Sequence, residues 1–446
     1  MPTTRRHFLT STAAGLAAAP LLAQPPGRTI SPNDNVHIAL IGAGGQGMGD
    51  CAASQRVGGV KLIAVADVYQ GRLDRSRELW GKDVFISRDY REVLARPDID
   101  AVIIGTPDVW HQRISIDAMR AGKDVYCEKP MVQHIDMGQA VVDAQRETGR
   151  IFQVGSQRVS SILYLKAREL FRAGAIGELN MIEAWWDRNS AIGAWQYSIP
   201  PDATPANIDW DRFIAAAPPH PFDPVRLFRW RNYRDYGTGV AGDLFVHLFS
   251  GMHLITSAVG PNRVYASGGL RFWKDGRDVP DVFYGLFDYE ARENAHPAFN
   301  LALRVNFVDG GDENSGFRFI GSEGILAIED ALTLTLTPRQ KAPGYTIDTF
   351  PKKIREEFLA QYNKEYPPQP VTASNMRPDG LETFEAPEGY DDHFNHHQNF
   401  IASVRSHTPA VEDAVFGFRA AGPALLSNTS YFEKRICNWN PETMTA

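Results

Sequence analysis

The chain has 446 residues, with 46 Lys and Arg against 53 Asp and Glu, a formal charge of −7 with histidine neutral. That balance argues against a nucleic-acid binder, which carries a basic excess or stripe, and 43% hydrophobic with 22% charged residues argues against disorder. Cys51, Cys127 and Cys437 are too scattered for a disulfide scaffold or a Cys-x-x-Cys metal site, and no metal is expected.

In chain order, Arg5-Arg6-His7-Phe8-Leu9 precedes a small, apolar run over residues 12–23. Residues 1–30 therefore read as a twin-arginine (Tat) export signal and linker, with a periplasmic or exported destination. Such export carries folded proteins, which raises the expectation of a cofactor loaded beforehand. No later run of 18 apolar residues occurs, so no membrane association is expected once the signal is cleaved.

From Asn35 the pattern becomes strand, glycine turn, helix, strand. Apolar runs at 36–41, 60–67, 101–107, 124–130 and 151–155 alternate with helical stretches, which predicts a doubly wound parallel sheet, a Rossmann domain over 33–157. A helix at 160–173 and a strand at 179–188 follow. The next fifty residues, 189–236, are rich in Trp, Pro and Arg and read as a covering loop. A helix is predicted over 240–259, then β-runs at 263–273, 282–290, 299–308, 316–321 and 324–337. Residues 158–446 thus form an α+β domain with an open, mostly antiparallel sheet. The Pro-rich 338–392 stretch is expected to be a long wrapping loop before helices at 393–406 and 414–435.

Gly42, Gly44 and Gly47 make Gly-x-Gly-x-x-Gly between a strand and a helix, and Asp67 ends the next strand twenty residues after Gly47. The glycines permit a tight turn and close approach to a pyrophosphate, while the helix N-terminus supplies amides and a favourable dipole. Asp67 suits a ribose 2′-hydroxyl and favours NAD; Arg72 nearby leaves NADP open. Lys129 closes the run Val125-Tyr126-Cys127-Glu128 at the carboxyl end of a parallel strand, where such folds place ligands. Asp243 and His247 stand at i and i+4 on the predicted helix, so the carboxylate could orient the imidazole and raise its basicity. His253 falls off that face and reads as structural. Trp185, Trp186, Trp195, Trp210 and Trp230, with Arg188, Arg226, Arg229 and Arg231, suit a sugar-binding surface or simply the core and rim of a long loop. His393, His396 and His397 have a metal-like spacing, but a capping turn and a solvated helix face explain them better.

Four motifs together resemble the Gfo/Idh/MocA oxidoreductases: the glycine turn, Thr106-Pro107-x-x-x-His111, Ala121-Gly122-Lys123 followed by Glu128-Lys129-Pro130, and Asp243-x-x-x-His247. The resemblance covers nearly the whole mature chain. It implies a Rossmann domain followed by a sheet used for oligomer contacts, hence a homo-oligomer (dimer or tetramer), with catalytic Lys129, Asp243 and His247. The residues matched to cofactor binding are Gly42, Gly44, Gly45, Gln46, Gly47, Asp67, Thr106, Pro107, His111, Glu128 and Lys129, for a tightly bound NAD or NADP. Family members usually carry glycine where Phe245 stands, so a different pocket wall is expected there.

The chemistry expected is oxidation of a carbohydrate secondary alcohol, with His247 taking the hydroxyl proton, Lys129 stabilising alkoxide and Asp243 positioning both. The periplasm lacks a free nicotinamide pool, so a resident cofactor must be recycled in place. That leaves coupled oxidation and reduction of two sugars, or a redox-neutral glycoside hydrolase or lyase working through a keto-sugar. A non-catalytic sugar-binding protein is the remaining alternative, and the intact Lys129, Asp243, His247 set argues against it.

Overall fold

The computed structural model describes residues 35–339, 342–367 and 381–446; the expected export signal lies outside the described residues. Six short strands form the first sheet: β1 (Val36–Ile41), β2 (Val60–Ala66), β3 (Phe85–Ser87), β4 (Ala101–Ile104), β5 (Asp124–Cys127) and β6 (Phe152–Val154). All pairings are parallel, in the order β3-β2-β1-β4-β5-β6. Helices α1 (Gly45–Arg56), α2 (Gln70–Trp80), α3 (Tyr90–Leu94), α4 (His111–Arg120) and α5 (Gly138–Thr148) connect them. β4 and β5 are wholly buried, which is why Ala101-Val102-Ile103-Ile104 is continuously apolar rather than alternating. Strand order reverses between β1 and β4, and that reversal opens a crevice at the carboxyl ends of the strands.

The second half begins with α6 (Ile162–Arg172) and β7 (Leu179–Asp187). The long segment 189–236 holds only short helices, among them α7 (Trp210–Ile214) and α8 (Pro224–Phe228), yet it is ordered by its own apolar cluster. Tyr69, Trp210, Phe213, Leu227, Phe228 and Tyr236 are all buried in it. A π-helical turn at Ala241–Phe245 runs straight into α9 (Val246–Thr256). Then come β8 (Arg263–Gly269), β9 (Val282–Tyr289), β10 (Phe299–Asn306), β11 (Asn314–Gly321), β12 (Gly324–Glu329) and β13 (Thr333–Pro338).

After these lie α10 (Lys352–Glu365), β14 (Glu382–Glu385), α11 (Asp392–Ser406), α12 (Ala414–Glu433) and β15 (Cys437–Asn438). The nine-stranded sheet runs β14-β13-β12-β11-β7-β10-β9-β8-β15, antiparallel except for the β7–β10 pair. Strand β9 alternates: Phe283, Phe287 and Tyr289 face the core, while Tyr284 and Leu286 lie on the open face. Among the described residues no helix is long and apolar enough to cross a membrane.

Three departures from the sequence reading have physical causes. The single β-run at 324–337 is a hairpin, turned at Asp330 and Ala331, which take φ of +48° and +55° without a glycine to announce it. The expected wrapping loop contains α10, which buries no residue: its i, i+4 row Ile354, Phe358 and Tyr362 stays largely in solvent, flanked by the ion pairs Lys352–Glu356 and Lys353–Glu357 at 4.0 Å each. Finally, α11 lays Phe400, Ile401 and Val404 against Val36, Ile38 and Leu40 of the first sheet, so the end of the chain completes the Rossmann core. Its His396 and His397 are fully buried, which corrects the expectation of a solvated helix face, although Asp391 does cap the helix through the Phe394 amide.

Glu412, just before α12, is fully buried; Ser250 Oγ (2.8 Å) and Ser156 Oγ (3.3 Å) donate to its Oε1, and its Oε2 has no partner. Burial pushes this carboxyl up to about 8, against the serine hydrogen bonds that lower it. The native state then holds a proton that the unfolded chain has released, so its contribution to stability falls as pH rises from the ordinary glutamate range toward that value. Glu412→Gln is expected to flatten this slope, with the variant gaining on the wild type in thermal midpoint between about pH 5 and pH 9. Parallel midpoint curves would remove the buried proton from the account.

Candidate active site

The first βα turn is built by two close approaches. Gly42 takes φ +91°, and a Cβ there would sit 2.6 Å from the Thr106 amide nitrogen; a Cβ on Gly47 would sit 2.3 Å from the Gly42 carbonyl oxygen. The N-terminus of α1 carries no side-chain cap, and at Gly45 nothing lies within 4 Å of a notional Cβ. These amides open onto a cleft of about 520 Å³ whose wall includes Gly42, Gly44, Gly45, Gln46, Asp67, Thr106 and Pro107. Segment 189–236 supplies the opposite wall with Tyr197, Phe213, Leu227, Phe228, Trp230 and Arg231. An uncapped helix start, a glycine cradle and a carboxylate at the end of β2 fit a dinucleotide.

Asp67 is held rigidly there, accepting from the Ala43 amide (2.8 Å) and the Tyr69 amide (2.9 Å), with Arg72 Nη1 at 3.5 Å. Removing its charge by Asp67→Asn should shift preference toward NADP by about 10- to 100-fold, because a carboxylate some 5 Å from a 2′-phosphate costs a few kcal/mol. Dissociation constants for both nucleotides on stripped protein check this.

Gly47, His111, Glu128 and Lys129 do not line that cleft. Gly47 is spent on packing α1 against the turn. His111 is buried, with Nδ1 2.7 Å from the Pro130 carbonyl and Nε2 2.9 Å from the Thr106 carbonyl. Two carbonyls require two N–H donors, so the ring is an imidazolium. Burial opposes that charge, but Cys127, Asp108 and the Pro130 carbonyl beside it raise the ring to about 10. Glu128 accepts from Gln157 Nε2 at 2.6 Å; burial and the nearby Asp50 push it up to about 8.

Lys129 leaves the end of β5 and meets the second half of the molecule. Its ammonium donates to Asp243 Oδ1 (2.8 Å) and to the Asp243 carbonyl (3.0 Å), and Arg231 Nε donates to the same Oδ1 at 3.2 Å. Burial would raise the Asp243 carboxyl, but Lys129, Arg231 and Arg188 hold it far below the usual range, so it is ionised. The expectation that Asp243 orients His247 is corrected here, while its charge does raise the basicity of the ring but is outweighed by burial. Asp243 sits in the π-helical turn and its carboxylate bonds the two cations, not the imidazole. π-Turns of this kind often mark functional positions.

His247 packs against Trp186, ring centroids 5.0 Å apart, and Arg158 covers the same indole at 4.1 Å. Its Nδ1 is buried without a partner. Burial first, then Lys129, Arg158 and Arg188, lower the ring well below the ordinary histidine value, with Asp243 opposing; the imidazole is neutral. Phe245 does not alter the pocket wall as expected. It is fully buried against Phe283 and Phe287 of the second sheet. Trp195 and Trp210 are likewise buried, and Arg226 and Arg229 bond Asp235 and the Tyr197 carbonyl. His253 bonds the Tyr289 hydroxyl and is structural. Arg158 went unread in the sequence; its one signal was its place just past the carboxyl end of β6.

Residues 36–156 match the family model described as "Oxidoreductase family, NAD-binding Rossmann fold" (GFO_IDH_MocA). Over these residues the chain is similar to the NAD-binding domain of the Gfo/Idh/MocA oxidoreductases. Among its relatives, the inositol 2-dehydrogenase of Gluconacetobacter diazotrophicus is 30% identical over 158 residues, 35% of this chain and 47% of that protein. The alpha-N-acetylgalactosaminidase of Shewanella oneidensis is 29% identical over 231 residues, 43% of this chain and 50% of that one. The chain thus spans about half the length of the curated relatives it matches. The fold of both halves is shared with levoglucosan dehydrogenase, solved with NADH and levoglucosan, which superposes with a TM-score of 0.65 over 91% of this chain and 99% of its own, at 16% identity.

Proposed function

We propose that this chain is an exported oxidoreductase that transfers hydride between a carbohydrate secondary alcohol and a tightly held NAD. The observation that carries the reading is that the Lys129 ammonium, just past β5, bonds Asp243 of the turn that opens α9, the helix that carries a His247 kept neutral by burial and by the Lys129 charge, while Arg231 joins the same carboxylate to the nucleotide cleft. The bound nicotinamide supplies the hydride acceptor. The Lys129 ammonium, held by the Asp243 carboxylate and carbonyl, stabilises the developing alkoxide. His247, neutral, takes the hydroxyl proton. Arg231 ties Asp243 in place and lines the nucleotide cleft, linking the two regions.

Retention of the cofactor is supported by the second wall of the cleft. Segment 189–236 is fastened to the Rossmann half by the Gln70 amide to the Asn207 carbonyl (2.9 Å), the Asp209 amide to the Val68 carbonyl (2.9 Å) and the Tyr69 hydroxyl to Asp202 (2.6 Å). A nucleotide so enclosed leaves slowly, as an exported enzyme without a nicotinamide pool requires. Export itself rests on Arg5-Arg6 and the apolar run behind them; replacing both arginines by lysine should keep a reporter fusion in the cytoplasm. The open face of the second sheet, with Tyr265, Tyr284 and Leu286 at 45–55% exposure, supports self-association.

Similarity to an alpha-N-acetylgalactosaminidase favours one second reading, redox-neutral glycoside cleavage. The test begins with denaturing the purified protein and identifying the released nucleotide by mass and absorbance. The intact holoprotein is then incubated with sugars and glycosides. Paired oxidised and reduced products select sugar coupling; release of a free reducing sugar without net reduction selects glycoside cleavage. No nicotinamide, or no change with any carbohydrate, would sink both.

A further inference from the structure

We propose that Asp50, His393 and His397 form a site for one divalent transition metal, with zinc the first candidate. The residues come from helices far apart in sequence. Asp50 lies on α1, the helix whose N-terminus cradles the nucleotide, and the two histidines lie one turn apart at the start of α11. Histidines at i and i+4 present both rings on one side of a helix. Here both Nε2 atoms point at one oxygen, Asp50 Oδ1, at 2.7 Å from His393 and 3.2 Å from His397. The three ligand atoms lie within 4.8 Å of one another.

Three further observations distinguish this cluster from a plain hydrogen-bonded group. First, Asp50 is fully buried, and while its Oδ1 also accepts from Gln46 Nε2 at 3.0 Å, its Oδ2 has no partner at all. An unpaired buried carboxylate oxygen is costly, and a cation bound by the carboxylate removes that cost. Second, His397 is fixed from behind: its Nδ1 lies 2.8 Å from Ser54 Oγ, and its ring stacks on Tyr126 at 4.4 Å. A hydrogen bond at the far nitrogen is how ligating imidazoles are oriented, with Nε2 left free for the ion. Third, the His393 side chain is 31% exposed, which provides an entry path and a solvent-facing fourth position.

Two imidazoles and one carboxylate without thiolate suit zinc and its first-row neighbours better than calcium or magnesium, which want oxygen. Coordination would draw the donor atoms to about 2.0–2.2 Å from the ion. Bound there, the metal ties α11 to α1 directly behind the nucleotide loop and stabilises the Rossmann half without taking part in the chemistry at His247.

The test uses the full, untagged chain. EDTA-treated protein is titrated with zinc chloride by calorimetry, and thermal midpoints are recorded with and without zinc. Expected are about one zinc per chain, a midpoint raised by several degrees, and at least a 10-fold loss of affinity in His393→Gln and in His397→Ala. His393→Gln, at a partly exposed position, keeps the experiment decisive if the buried His397→Ala fails to fold. Failure of treated wild type to bind stoichiometric zinc, or equal affinity in wild type and His393→Gln, overturns the site.

Discussion

Replacing Lys129 by methionine is expected to lower turnover by about 10³-fold while the nucleotide stays in its cleft. The two consequences separate because the ammonium is bonded to Asp243, outside the cleft, while the glycine turn, Asp67 and Thr106 form the nucleotide wall. Methionine fills similar volume but supplies no charge to a developing alkoxide. Loss of one partner of a buried ion pair costs about 3–5 kcal/mol when nothing else compensates. Here Arg231 remains 3.2 Å from Asp243, so the fall in stability should be smaller. Single-turnover reduction of the bound nicotinamide, read beside the thermal midpoint and nucleotide content, distinguishes lost chemistry from lost folding. A variant that retains wild-type turnover would remove Lys129 from the mechanism. The companion His247→Asn should lose the acid limb of the pH–rate profile. In the wild type that limb lies below about pH 6.5, because burial and Lys129 favour the neutral ring.

What could be read beforehand follows the range of the forces involved. Continuous apolar runs such as Ala101-Val102-Ile103-Ile104 arise from burial on both faces, a local pattern, and so the first sheet was legible. The glycine turn was legible because steric demands at Gly42 and Gly47 leave no other residue type. Three-residue β3 is too short for any such pattern, and α10 buries no residue in a core. Side-chain partners were legible only where chain geometry dictates them. Asp243 and His247 looked like a helical pair, but a single π turn and two cations, one just past β5 and one from the segment before the helix, redirected the carboxylate. The Asp50 to His393 contact spans 343 residues and could not be inferred from local spacing at all.

The second large effect is expected at His111, which touches neither cleft nor substrate. Its imidazolium holds the carbonyls of Thr106 and Pro130, and so braces the turn after β4 against the turn that carries Lys129. His111→Phe leaves both carbonyls without their donor, at about 1–3 kcal/mol each, so a loss of about 2–5 kcal/mol is expected. Because Thr106 forms part of the nucleotide wall, nucleotide affinity should fall as well. His111→Gln, with one amide donor group, should recover part of the loss. The pH dependence identifies the charge. The folded value, raised to about 10, exceeds that of the unfolded ring, so the stabilisation is fully present below about pH 6.5 and is lost as pH rises through about 10. Wild type should therefore lose stability between about pH 7 and pH 10 more steeply than His111→Phe. Equal slopes in chemical denaturation across that range would mean a neutral ring, and one of the two carbonyl contacts would then be no hydrogen bond.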